Sequence, residues 1–464
     1  MFNKSENKIL HQEGFLTLEI ILCLSLVSIF IFGVFSLTFS NQDMAVDTEN
    51  NAKALGLASK GLEGALAQGF SFIPPADQVS GGFTEHLQTD WLSDYAKEVS
   101  SRVNFVSSGK PLKVELDSLA TDWQNSLGKD TCALEFSGNW KNPVLRGAIS
   151  VGANNPATDV DVLGGRVYVS TNGSTQSMDD LFIVNAGDLD HPSVIKSLNT
   201  GPGLNSLQVA GDYIFAANSS INGQLQIIKI SNPNNPTVML NLKLADAASG
   251  GIGSAIYYSS GKVYIGTPKN AGPEFYVYNV QNPSAPYFLG EFEIGSGVNK
   301  IYVYGPYAYL ATGDINRFRI LDISNPGAIK EAGDFSDVGG TAQSGESLAV
   351  LGGLAVFGRA GGLPGDHIPE LYLLDASQPN NIQKLNSADI NMSINYIFLR
   401  NGLAFLATNK IGGEFQIYNF ANNQLNYLSS AALPNDASAL DCEGENFFLV
   451  MSGNPILQII SPGN

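Results

Sequence analysis

The sequence is poor in charge, in basic residues and in histidine. Only 15% of its 464 residues are charged, and Lys and Arg total 25 against 43 Asp and Glu, for a formal net charge of −18. No basic block occurs, which argues against a nucleic-acid partner, because phosphate recognition needs clustered Lys and Arg. The four histidines are His11, His86, His191 and His367, and none has a companion at metal-ligand spacing. No H-E-x-x-H, G-x-S-x-G or P-loop pattern appears, so no catalytic residue, metal or cofactor is expected. Cysteine is also scarce: Cys23 lies in an apolar run, which leaves Cys132 and Cys442 as the pair available to each other.

Glycine (49) and aromatics (10%) are plentiful, a balance that favours turn-rich β structure. At 464 residues the chain is long for one core, so a small N-terminal part and one large folded part are expected.

Residues Phe15 to Phe39 form an apolar stretch of about 25 residues, long enough to cross a bilayer as a helix. Glu19 alone interrupts it, and no small-residue cleavage site follows. The segment Gly14-Phe15-Leu16-Thr17-Leu18-Glu19 resembles the leader of type IV prepilins. The resemblance implies that a prepilin peptidase cuts between Gly14 and Phe15, that Phe15 is methylated, and that Glu19 sets axial register by pairing with the N-terminal amine of another pilin-like subunit. A carboxylate in hydrocarbon is costly and should have such a partner. Beyond the run, Leu55, Leu62, Leu66 and Phe70 share a helical stripe with Ala58 and Ala65 beside it, until Pro74-Pro75. The expectation is a leader over 1–14, a transmembrane and stalk helix over 15–72, and a single-pass place in a bacterial inner membrane and on the cell surface or pilus, with the rest outside the cytoplasm.

Residues 73–140 read as a small α+β connector, a reduced pilin-like head. A helix is expected over Thr84–Val99, with Leu87, Trp91, Leu92 and Tyr95 as its apolar side and His86 near its start; short strands are expected at Val103–Val106 and Leu112–Leu116.

From about residue 142 the chain repeats. An apolar strand ends in a polar turn at Leu225–Pro233, Phe275–Pro283, Phe318–Pro326, Leu371–Pro379 and Phe415–Asn423, with looser copies at Leu181 and Leu457. These anchors recur 42 to 53 residues apart, the size of a propeller blade. A hairpin precedes each anchor and a fourth strand follows the turn. Asp322 and Asp375 should accept from backbone donors of those turns. The units resemble LVIVD repeats, a family assigned a β-propeller fold.

The fold class is therefore mainly β: a seven-bladed propeller of four-stranded blades over 141–464, preceded by the N-terminal helix. The last unit lacks its fourth strand, and residues 142–150 have the form to supply it, which would close the ring and remove two sheet edges. That closure brings Cys132 and Cys442 towards each other, either as a disulfide or as two buried thiols.

Two function classes remain open. One is a minor pilin or pseudopilin-like subunit that displays the propeller to bind an extracellular ligand, or the same binder left unassembled in the membrane. The other is a membrane-tethered enzyme acting on an extracellular polymer. Paired carboxylates converging on the channel favour the enzyme; a channel of small or apolar residues favours binding.

Overall fold

The computed structural model describes residues 48–68, 74, 77–93, 96–107, 110–121, 131–134, 136–151, 155–173, 178–245, 251–313, 317–336, 344–361 and 367–463. It divides into two compact units, Met1–Trp91 with Ala96–Asp122, and Leu92–Tyr95 with Trp123–Asn464.

The first unit lays helix α1 (Thr48–Ala67) on a four-stranded sheet of β1 (Gln78–Ser80), β2 (Phe83–Ser93), β3 (Ala96–Ser107) and β4 (Lys110–Thr121), paired in chain order. Alternation along β3 buries Val99, Val103 and Phe105 on one face. The helix answers with small residues: Ala54, Ala58 and Ala65 are fully or almost fully buried. Gly61 completes that stripe, and a Cβ there would lie 1.6 Å from the Glu85 carboxyl oxygen. A side chain at this position would make the Glu85 carboxyl move aside.

Two expectations are corrected here. Among the described residues no helix is long and apolar enough to cross a membrane. Of the transmembrane and stalk helix expected over 15–72, the described residues show one 20-residue α-helix, Thr48–Ala67, which packs as part of a domain. Its buried face is the alanine stripe, and Leu66 is exposed. The single-pass inner-membrane placement that rested on the long helix is therefore not supported by any described helix. Gly14, Phe15 and Glu19 lie outside the described residues. The helix expected over Thr84–Val99 is also wrong: β2 and β3 occupy that stretch. Leu87 and Trp91 are four apart, a spacing that suits a helical face and one face of a strand equally.

The second unit contains seven sheets among the described residues. Six are four-stranded: blade 1 (Ala157–Leu198), blade 2 (Leu204–Leu242), blade 3 (Ala255–Phe292), blade 4 (Val298–Phe335), blade 5 (Gly345–Ala388) and blade 6 (Ile394–Ala431). The anchors are the third strands, such as Leu225–Lys229, Phe318–Asp322 and Phe415–Asn419, and nearly every residue in them is buried. Each blade is sandwiched between its neighbours, so both faces are covered and the strands read as unbroken apolar runs. The Asp322 and Asp375 carboxylates accept from the backbone N–H groups of Ser324 and Ser377, both at 3.0 Å.

The blades are held to one another by a repeated device. Near the start of most first strands a β-bulge leaves one residue out of register, as at Thr158, Asn205, Asn299 and Asn395. The side chain of that residue donates to a backbone carbonyl of the next blade: Thr158 to Leu204 (2.6 Å), Asn205 to Gly253 (2.6 Å), Asn299 to Gly345 (2.7 Å) and Asn395 to Ala437 (2.7 Å). Ser254 does the same to Val298. A second device is the buried acid just before the third strand. Glu274, Glu370 and Glu414 accept backbone N–H groups of the loop after the fourth strand, from Ile294, Ile390 and Leu433 at 3.0, 2.9 and 2.7 Å.

Blade 7 closes the ring from both ends of the sequence. Its strands run Thr131–Cys132, Ala437–Gly444, Asn446–Met451, Leu457–Gly463 and Asn139–Ile149. The strand before the first blade therefore pairs antiparallel with the C-terminal strand, Leu457 opposite Ile149. Arg146 on that closing strand makes a bidentate pair with Asp190 of blade 1, at 2.5 and 2.6 Å.

Candidate ligand site in the axial channel

The first strands of neighbouring blades lie side by side, each meeting the next and that of blade 7 meeting that of blade 1. Their inward side chains line an axial cavity of about 140 Å³. One wall is acidic. Asp441 of blade 7 accepts the Val162 N–H of blade 1 (2.8 Å), and Asp161 of blade 1 accepts the Val209 N–H of blade 2 (2.7 Å). Gln208 of blade 2 accepts the Tyr258 N–H of blade 3. One strand position thus stitches four blades in succession, wherever the repeat places an acceptor there. Asp159 adds to the seam: its Oδ2 accepts the Ser206 hydroxyl (2.6 Å) and the Leu207 N–H (3.2 Å), and its Oδ1 the Val160 N–H (3.0 Å).

The opposite wall is aromatic. Tyr257 and Tyr302 pack with ring centroids 5.3 Å apart, and Tyr396 and Phe398 continue the surface on blade 6. Lys300 projects between the walls, its Nζ 3.7 Å from the Tyr396 ring centroid.

The electrostatics follow from crowding charges away from bulk water. Desolvation, with a further push from Asp159, raises the Asp161 carboxyl to about 7, although bonds from Val209 and Asp441 oppose the rise. Asp161 and Asp441 interact side chain to side chain, which holds the Asp161 carboxyl lower than burial alone would leave it. Desolvation also lowers Lys300 against the pull of the three aspartates, and raises the Tyr396 hydroxyl well above its usual value.

The residues singled out from sequence lie elsewhere. Cys132 and Cys442 are joined as a disulfide, Cα to Cα 5.3 Å, which fastens the short strand Thr131–Cys132 to the inner edge of blade 7. Asp441 lies close to both sulfurs, but two bonded sulfurs leave a lone carboxylate, which is no metal site. His86 stands on β2 and pairs with Asp77 at 2.7 Å; His191 pairs with Asp188 at 3.1 Å and His367 faces Asp389 at 3.8 Å. These three are scattered and do not form a site. Sequence reasoning missed the channel residues. A signal was present, since an acid flanked by apolar residues, as in Val160-Asp161-Val162 and Leu440-Asp441-Cys442, is costly unless it has a partner.

The LVIVD repeat family matches residues 204–243 and 296–337. These segments are blades 2 and 4, each from its first strand to its fourth. The chain carries LVIVD repeats. An LVIVD repeat here is one whole blade, and its first strand supplies the bulge latch and the channel-facing positions. No curated protein matches. Among solved structures, a chain in the mitotic checkpoint complex aligns at 12% identity over 71% of this chain and 96% of that one, with a TM-score of 0.51. The WD40 β-propeller domain of Doa1 aligns at 16% identity over 71% and 99%, with a TM-score of 0.49. Chaetomium thermophilum Sqt1, solved bound to the N-terminus of ribosomal protein L10, aligns at 11% identity over 82% and 94%, with a TM-score of 0.46. The first of these supports the propeller fold and bears on nothing else.

Proposed function

We propose that the LVIVD propeller is a binding module and that the chain is a minor pilin-like subunit that displays it to an external ligand. The axial cavity carries the binding half of this reading. It combines fixed acceptors, the Lys300 ammonium, the Arg400 guanidinium and a bank of aromatic rings in a preformed concavity, the usual make-up of a small-ligand site. The carboxylates argue against a hydrolase. A carboxylate pair that cleaves a glycosidic bond stands about 5–9 Å apart with the bond between, whereas Asp161 and Asp441 are hydrogen-bonded to each other and to backbone. The pilin half rests on Gly14, Phe15 and Glu19, with a prepilin peptidase and other pilin-like subunits as partners.

Each half has its own test. Intact-mass and N-terminal analysis of the protein from cells with an active prepilin peptidase should give a chain starting at N-methyl-Phe15; an unprocessed Met1 defeats the pilin half. Adherence of the full chain to candidate surfaces, with no release of soluble product, is expected of a binder. Product release that scales with protein concentration overturns the binding half.

A further inference from the structure

We propose that the axial cavity takes one neutral, polyhydroxylated unit, the terminal sugar residue of a glycan; this rests on the binding reading above and names its ligand class. The two walls decide the chemistry by exclusion. A cationic ligand meets the Lys300 ammonium and the Arg400 guanidinium, and an anionic one meets Asp159 and Asp441. An apolar ligand strips water from those charged groups and returns nothing. A hydroxyl both donates and accepts, so vicinal hydroxyls can donate to the acidic wall and accept from Lys300.

Lys300 is available for that role. Its described contact is the face of the Tyr396 ring, and no carboxylate lies within ion-pair distance of it among the described residues. The ring attracts the charge and leaves the ammonium's N–H donors to be shared. Tyr257, Tyr302 and Phe398 supply flat apolar surface for the C–H face of a pyranose.

Size points to a single residue. A volume of 140 Å³ holds about four or five waters at roughly 30 Å³ each, room for one sugar ring and too little for two. The strand Thr131–Cys132 lies along the inner edge of blade 7 beside Glu443–Gly444, with the Thr131 hydroxyl donating to the Cys442 carbonyl at 3.0 Å.

The test is titration of the full chain, by calorimetry and saturation-transfer NMR, with methyl glycosides of glucose, galactose and N-acetylglucosamine. The uronic acid and amino-sugar counterparts of each ring serve as charged probes. At least one neutral glycoside should bind saturably, and its charged counterparts at least ten-fold more weakly. Lys300→Met should weaken the neutral sugar at least ten-fold while melting at the wild-type temperature. Tighter binding of a charged counterpart, or neutral binding that ignores Lys300→Met, overturns the inference. So does adherence by a chain that binds no glycoside, and in that case the binding reading stands; a chain that neither adheres nor binds overturns both.

Discussion

The two units bury their strands in different ways. In the helix-on-sheet unit one face of β3 is covered, so polar and apolar residues alternate and the helix contributes a stripe of alanines and Gly61. In the propeller the third strands are covered on both faces, so apolar residues dominate them and nearly every position is buried. Several of the polar groups that remain inside are bonded to backbone across blades or loops. A small unit with one interface depends on shape at that interface. A closed ring depends on its joints, and the failure of any joint is felt by two blades.

The largest effect should come from the joint with the widest reach. Cys132 and Cys442 are 310 residues apart, and cutting a link over so long a loop should cost the propeller about 2–5 kcal/mol. Calorimetry of Cys442→Ala should show the propeller transition lowered and that of the helix-on-sheet unit unmoved. Equal shifts in both would erase the contrast.

Proton linkage should separate the units next. Burial raises Asp180 to about 6 and Asp161 to about 7 in the folded propeller. A carboxyl held above its unfolded value binds its proton more tightly when folded. Its contribution is therefore full below the ordinary carboxylate range and is lost as pH rises through the folded value. Propeller stability should rise by about 1–3 kcal/mol between pH 8 and pH 5. Asp180→Asn should flatten that rise. In the smaller unit Glu115 is held low by Arg102 and Lys113, so its contribution has the opposite sign and fades on acidification. Urea titrations extended from pH 8 to about pH 3 read both trends, the propeller's above pH 5 and that of Glu115 below about pH 4.5, and parallel curves for the two units would contradict them.

Steric fit should dominate in the smaller unit. Gly61→Leu drives a side chain into Glu85 and should cost about 1–3 kcal/mol. Gly56 has open space around its Cβ direction, so Gly56→Ala should instead stabilise by about 1 kcal/mol through helix propensity. If both substitutions prove neutral by circular-dichroism melting, the helix does not pack as described.

The smallest effect should come from a single latch. Asn205→Ala leaves the Gly253 carbonyl without its inter-blade donor and should cost about 1–2 kcal/mol in the propeller transition. The same change at Asn395 should match it. A null result at both positions would show that the bulges alone hold the blades.

Much of the propeller was legible because its signal is local. An apolar strand closed by a polar turn can be recognised from nine residues, and each copy announces itself separately. The connector was misread because Leu87 and Trp91 satisfy two periods at once, and only pairing with the next strand selects one. The stripe on α1 reads as leucines with Ala58 and Ala65 beside it, whereas the fully buried positions are the alanines, and Leu55 and Leu62 pack at the margins. The space at Gly61 is set by Glu85 and Ser101, which lie 24 and 40 residues beyond it. The N-terminal helix was inferred from an apolar run, and the helix that is described begins after it, at Thr48, and serves a domain.

By itself the sequence determined the unit of construction: a 42–53-residue repeat whose third strand is buried on both faces, and a segment before the first blade able to complete the last. These are properties of short stretches, and the hydrophobic effect reads them in place. Only the tertiary structure decided the site. Asp161, Lys300, Tyr396 and Asp441 are separated by 45 to 139 residues along the chain, and nothing local relates one to another. Lys300, Tyr396 and Asp441 share a cavity, with Asp161 bonded beside it, because each sits on a first strand and the ring closes on itself. Their altered proton affinities exist only once that closure takes them out of bulk water.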